Sequence, residues 1–108
     1  MVLMFMVIGT ETYLKEINRW PKPDKEGALK IPDQLKENPL IGKPLGYPFL
    51  REKKIKERRI YYLVYEDLKI VLLVAASGKK DQQATIDHIK KNLHEFKKIA
   101  EDIAKQAV

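Results

Sequence analysis

Between residues 51 and 59 the chain carries Arg51, Lys53, Lys54, Lys56, Arg58 and Arg59, immediately ahead of an Ile/Tyr/Leu/Val run. Like charges repel when held close, so such a cluster marks either a solvated strand edge or a surface that meets an anion. Arginine presents a planar fork that matches two phosphate oxygens. A lysine crowded by other cations gives up its proton more readily and can serve as a base. Lys79 and Lys80, in "SGKK", close a later apolar run and add two further cations. The chemistry within reach is phosphate binding and, with a base among the cations, phosphoryl transfer. On a strand alternate residues share a face, which points Arg51 and Lys53 together with Phe49 and Ile55, and aligns Arg59 with Tyr61 and Leu63.

Other chemistries find little support. There is no cysteine, which excludes a thiol nucleophile, a thiolate metal site and a disulfide scaffold, and fits a reducing cytoplasm. The two histidines, His88 and His94, are six residues apart and form no ligand pair at one helical turn. "IGKPLG" lacks the Gly-Lys-Ser/Thr ending of a phosphate loop, and Ser77, the one serine, has no histidine placed beside it. The opening "VLMFMVI" is too short to span a bilayer. No metal, cofactor or membrane is therefore expected.

The net charge of +6 is local. Residues 1–42 carry six basic and six acidic side chains and residues 81–108 five of each, whereas residues 43–80 carry ten basic against four acidic. A positive field confined to one segment is the footprint of a polyanion site.

The elements that must position these residues follow from periodicity. The length of 108 residues suits one domain over residues 1–108. Residues 2–8 read as a strand buried on both faces. Thr10 is a candidate N-cap for a helix to about Trp20, with Tyr13, Leu14, Ile17 and Trp20 on one side, ended by Pro21 and Pro23. A second helical stretch, about 24–37, has Ala28, Leu29, Ile31 and Leu35 as its apolar side, with a kink or restart at Pro32. Residues 38–48 read as a loop. Residues 49–55 and 59–65 read as a hairpin across a short charged turn, and 69–76 as a central strand apolar on both faces. From about Asp81, Ile86, Ile89, Leu93, Phe96, Ile99 and Ile103 form a helical stripe. A single helix of roughly 25 residues would be about 37 Å long, so its final turns are expected to project onto a partner or a second copy. The fold class is α+β: a small antiparallel sheet with two N-terminal helices and a long C-terminal helix, the helices lying on one side.

"NPLIGKPL" followed by "FLREKKIKERRIYYLVYEDLKIVLLVAASGKK" resembles the RelE-like toxins, the ribosome-dependent mRNA interferases of type II toxin–antitoxin systems within the RelE/ParE superfamily. The likeness covers residues 38–80 well and the first 37 in element order. It suggests a divergent archaeal or thermophile member. Carried over, Arg51 and Lys53 stand at the family's strand cations, Arg59 at its hairpin arginine, Tyr62 at the tyrosine that follows, and Lys80 at the arginine closing the last strand. The family's catalytic tyrosine early in the final helix has no counterpart, since Ile86 stands there; Tyr62 is assigned to the sheet core.

The resemblance implies cleavage by 2′-hydroxyl attack on the adjacent phosphate without metal. Arg51, Lys53, Arg59 and Lys80 are its catalytic candidates. Lys53 would assist deprotonation, and Arg59 and Lys80 would stabilise the charge on the phosphoryl oxygens. Arg51, with the RNA-binding candidates Lys54, Lys56, Arg58 and Lys79, would hold the backbone. The implied partners are RNA, the ribosome and a cognate antitoxin, with a homodimer through the C-terminal helix as a further expectation. Two other readings stay open: a nucleic-acid-binding relative that has lost catalysis, and a gyrase inhibitor of the ParE type.

Overall fold

The computed structural model describes residues 4–107. The apolar runs become β1 (Met6–Gly9), α1 (Glu11–Asn18), α2 (Lys22–Leu29), α3 (Ile31–Glu37), β2 (Lys43–Pro44), β3 (Leu50–Ile55), β4 (Arg58–Tyr65), β5 (Ile70–Ser77), α4 (Gln82–Lys91) and α5 (Leu93–Gln106). The strands form one sheet in the order β1-β5-β4-β3-β2. β1 runs parallel to β5, and the other pairs are antiparallel.

The α+β class is the one expected, but the helices cover both faces of the sheet. One core joins Tyr13, Ile17, Trp20, Ala28, Ile31 and Leu35 of the N-terminal helical segment to Ile60, Tyr62, Val64, Val71 and Leu73. The other joins Ile86 and Ile89 of α4 to Leu50, Tyr61, Leu63, Leu72 and Val74, with Phe96 and Ile103 of α5 packed against it. Period-two alternation along β4 feeds both cores, so every residue from Ile60 to Val64 is buried. β1 is an edge strand, with Met6 43 % exposed, and is not buried on both faces; Val2 and Leu3 of the expected strand lie outside the described residues.

Thr10 caps α1 as its position predicts. Its backbone is extended, and its Oγ1 accepts the Tyr13 N–H at 3.3 Å while its hydroxyl donates to the Val74 carbonyl at 3.4 Å. The cap thereby ties the helix start to β5. Leu14 and Leu29, read as core, are 56 % and 65 % exposed. The second helical stretch restarts at Ile31, with Pro32 in the first turn of α3, where its missing N–H costs nothing.

The C-terminal helical segment breaks at Asn92. Its side-chain amide donates to the His88 carbonyl at 2.8 Å, a group that an unbroken helix would bond to the Asn92 N–H, and the Asn92 N–H bonds Ile89 instead. Beyond the break α5 stays on the sheet through Phe96, Ala100 and Ile103 rather than projecting from Leu93 onward. Ala100 is fully buried, while Ile99, expected on the stripe, is 41 % exposed.

Burial pushes the Tyr13 phenol up to about 12, and burial followed by the Glu101 charge does the same for Tyr65. Both must stay neutral in the folded chain while the unfolded chain ionises near its ordinary value of 10.0. Their contribution is therefore fully present below pH 10 and is lost as pH rises towards 12. Urea unfolding midpoints should fall across that window, and replacing both tyrosines with phenylalanine should flatten the fall.

Candidate nucleic-acid interface

The β3–β4 hairpin turns through Lys56 and Glu57, with Lys56 in the left-handed region at φ 54°. That turn pairs Ile55 with Arg58, Lys54 with Arg59, Lys53 with Ile60, Glu52 with Tyr61 and Arg51 with Tyr62. Cross-strand partners share a face. Arg51, Lys53, Ile55 and Arg58 thus lie on the side of α1–α3, and Glu52, Lys54, Arg59 and Tyr61 on the side of α4–α5. The predicted alignment of Arg59 with Tyr61 is present. Arg51 and Lys53 leave the sheet on the opposite face.

β2 is only two residues long and leaves the β3 edge open beyond Glu52. A notch of about 310 Å³ sits there, lined by Ile41, Gly42, Lys43, Glu52, Lys53, Lys54 and Arg59. Lys53 lines it too, although its position on β3 belongs to the other sheet face. Four cations therefore meet one carboxylate. The Arg59 side chain is 14 % exposed, with its Nε 4.0 Å from Glu52 Oε2 and an Nη1 donating to the Arg58 carbonyl at 3.4 Å. Glu52 is buried, and Oε2 also accepts from the Gln82 side-chain amide at 3.2 Å, which fastens the first turn of α4 over β3. Ser77 lies opposite Arg59 across β4–β5, and its hydroxyl shares a 2.8 Å hydrogen bond with Tyr61. Burial is the first cause raising the Tyr61 phenol; the Glu52 charge adds to it, and the Ser77 hydrogen bond and Arg59 oppose it. Two polar groups thus lie beneath the notch, Gln82–Glu52–Arg59 and Tyr61–Ser77, on one face of the sheet.

The remaining cations divide by what they touch. Lys54, Lys79 and Lys80 make no ion pair among the described residues, and Lys79 and Lys80 are exposed in the turn that leaves β5 at the Arg59 end of the sheet. Arg58 donates to Asp24 at 2.8 Å and lies over the Trp20 ring at 5.2 Å, and Lys56 also pairs with Asp24 at 3.7 Å. Both tie the hairpin to α2, Arg58 closely and Lys56 with a side chain that stays 61 % exposed. Arg51 is likewise committed: it donates to the carbonyls of Gly42 at 3.0 Å, Pro48 at 2.8 Å and Leu40 at 3.3 Å. It staples loop 40–48 to the sheet and has no donor directed at the notch. Arg51→Ala should lower stability by about 1–2 kcal/mol, chiefly through the part-buried bond to the Gly42 carbonyl, since water can meet the exposed Pro48 and Leu40 carbonyls; thermal melts would measure it.

Tyr62 is core, fully buried, with its hydroxyl accepting the Gly42 N–H at 2.9 Å. A Cβ at Gly42 would lie 2.6 Å from that hydroxyl, so only glycine lets loop and sheet approach this closely. Ile86 is also core, 7 % exposed and packed on the sheet with Leu50 and Tyr61, and it does not line the notch. Inserting a tyrosine at 86 would overpack the core rather than restore a catalytic group.

Glu52, Lys43 and Gln82 belong to the site but did not emerge from the sequence. Glu52 sits inside the basic run, where net-charge counting treats it as dilution; the hairpin register is the signal that places it beside Arg59.

No family model matches the sequence, and no curated protein matches it either. Solved structures do. A mutant of the E. coli toxin RelE in the free state superposes with a TM-score of 0.68 at 20 % identity, over 82 % of this chain and 97 % of that one. The archaeal RelE–RelB complex from Pyrococcus horikoshii OT3 gives 0.62 at 18 % identity, over 70 % and 96 %. The RelBE2 toxin–antitoxin complex from Mycobacterium tuberculosis gives 0.62 at 17 %, over 72 % and 94 %. At these identities the likeness establishes the fold: the chain has a RelE-like fold. No helix among the described residues is long and apolar enough to cross a membrane.

Proposed function

We propose that this chain is a RelE-like toxin that cleaves RNA on the ribosome and is held in check by an antitoxin. The observation that carries the reading is the notch at the open β3 edge, where a nearly buried Arg59 is fixed among Lys43, Lys53 and Lys54. A guanidinium fixed by folding, its side chain 14 % exposed, needs little reorganisation to meet charge developing on a phosphoryl oxygen. The surrounding lysines, continued by Lys79 and Lys80 at the same end of the sheet, suit the flanking phosphates. The fold shared with RelE toxins, several of them solved in complex with an antitoxin, supports both the activity and the partner.

In this reading the ribose 2′-hydroxyl attacks the adjacent phosphorus in line, and Arg59 stabilises the added negative charge. Lys54, its cross-strand neighbour, and Lys80 lie at the same end to assist. The ribosome would supply what a shallow notch lacks, an RNA strand held in the attacking geometry.

The burial of Ile86 favours a second reading, a nucleic-acid-binding relative without catalysis, because the family's tyrosine position is turned into the core. The two separate on programmed ribosomes. End-labelled mRNA on the ribosome should be cut by the purified chain and left whole when ribosomes are omitted. Intact mRNA together with salt-sensitive RNA binding would select the second reading.

A further inference from the structure

A cation-lined site that moves a proton off a 2′-hydroxyl needs an acceptor, and the tyrosine position is closed. Among the residues lining the notch one side chain is a carboxylate, Glu52. Its two oxygens are used differently. Oε2 lies 3.2 Å from the Gln82 amide and 4.0 Å from Arg59 Nε. Oε1 makes no hydrogen bond among the described residues, yet the one fully buried side-chain atom without a partner there is Trp20 Nε1, so Oε1 reaches solvent. The carboxylate is thus gripped at one oxygen and open at the other, on the wall that holds the charge-stabilising arginine.

Resting on the function proposed above, we infer that Glu52 is the catalytic proton acceptor of the site, taking the proton from the 2′-hydroxyl through Oε1 while Arg59 holds the phosphoryl oxygens. The 2′-oxygen forms the new bond to phosphorus as its proton passes to Glu52. The bond from phosphorus to the 5′-oxygen breaks, its electron pair staying on that oxygen, which takes a proton from water. The hydroxide left behind is neutralised by the proton that Glu52 then releases. The products are a 2′,3′-cyclic phosphate and a 5′-hydroxyl. Stapled by Gln82 and flanked by Arg59, the carboxylate has a hydrogen-bond donor and a cation beside it in the most basic part of the chain. Lys53, on the other sheet face, becomes a holder of phosphate and not the base.

The test is single-turnover cleavage of ribosome-bound mRNA by the full chain, beside RNA binding and thermal melting. Glu52→Gln keeps the shape and an acceptor for Gln82, and should slow cleavage by about a hundredfold or more, the usual worth of acid–base assistance, with equal or tighter RNA binding. Glu57→Gln, on the exposed hairpin turn, should cleave as the wild type does. Wild-type rates from Glu52→Gln would overturn the inference and leave the proposed function standing. Faster cleavage by Glu52→Gln would overturn it too, showing that the carboxylate merely screens Arg59. Should Glu52→Gln fail to fold, Glu52→Asp retracts the carboxylate while keeping its charge; slower cleavage supports the role and an unchanged rate refutes it. No cleavage by the wild type would defeat the function itself, and the inference with it.

Discussion

Arg59→Ala should slow cleavage of ribosome-bound RNA about a hundredfold, the rate equivalent of the roughly 3 kcal/mol that a fixed, partly desolvated donor contributes to a developing phosphoryl charge. Arg59→Lys should recover little, since an ammonium cannot reproduce the planar fork. The substitution also leaves Glu52 with Gln82 as its remaining side-chain partner in a buried setting. Some loss of stability is therefore expected, and melting curves must accompany the rates. The Arg59→Ala, Glu52→Gln double variant removes both charges together and should regain stability without regaining activity. An Arg59→Ala protein that cleaves normally would separate the notch from the chemistry.

Truncation after residue 97 should unfold the chain. It removes Ala100, which is fully buried, and Ile103, which packs against the core under α4 and α5. Exposing that face of β4 and β5 costs several kcal/mol at about 25 cal/mol per Å² of apolar surface, a large part of the 5–15 kcal/mol that holds a typical domain together. Circular dichroism of the truncated chain should show the loss directly. A native-like melt would mean that α5 is an appendage after all.

Element order was legible because the sequence changes period where the chain changes structure. Alternation from Leu50 onward gives strands, and Thr10 and Pro32 mark helix starts by their hydrogen-bonding chemistry. Two errors have local physical causes. Placing the strands at 49–55 and 59–65 implies a three-residue turn, whereas the chain turns through Lys56 and Glu57 alone. A shift of one residue sends every side chain of a strand to the other face. The two-residue turn pairs Arg59 with Lys54 and sets it on the face of Glu52. The helix break at Asn92 was hidden because asparagine fits an exposed helical position, and only its competition for the His88 carbonyl reveals the stop. Beyond it the buried side rotates from Ile99 to Ala100. The staple from Arg51 to three loop carbonyls could not be read at all: a strand arginine carries the same letter whether it meets phosphate or backbone.

The central claim, that RNA is engaged at the open β3 edge, is tested most directly by amide chemical-shift mapping. A short RNA with a 2′-deoxy scissile nucleotide would be titrated into the ¹⁵N-labelled chain at low salt. Shifts should concentrate at residues 41–43, 52–54, 59 and 77–82, and should fade as salt rises, as counterion release requires. Shifts centred on the N-terminal helices, or on the apolar groove between Leu40, Phe49 and Leu93, with the β3 edge unmoved, would contradict it.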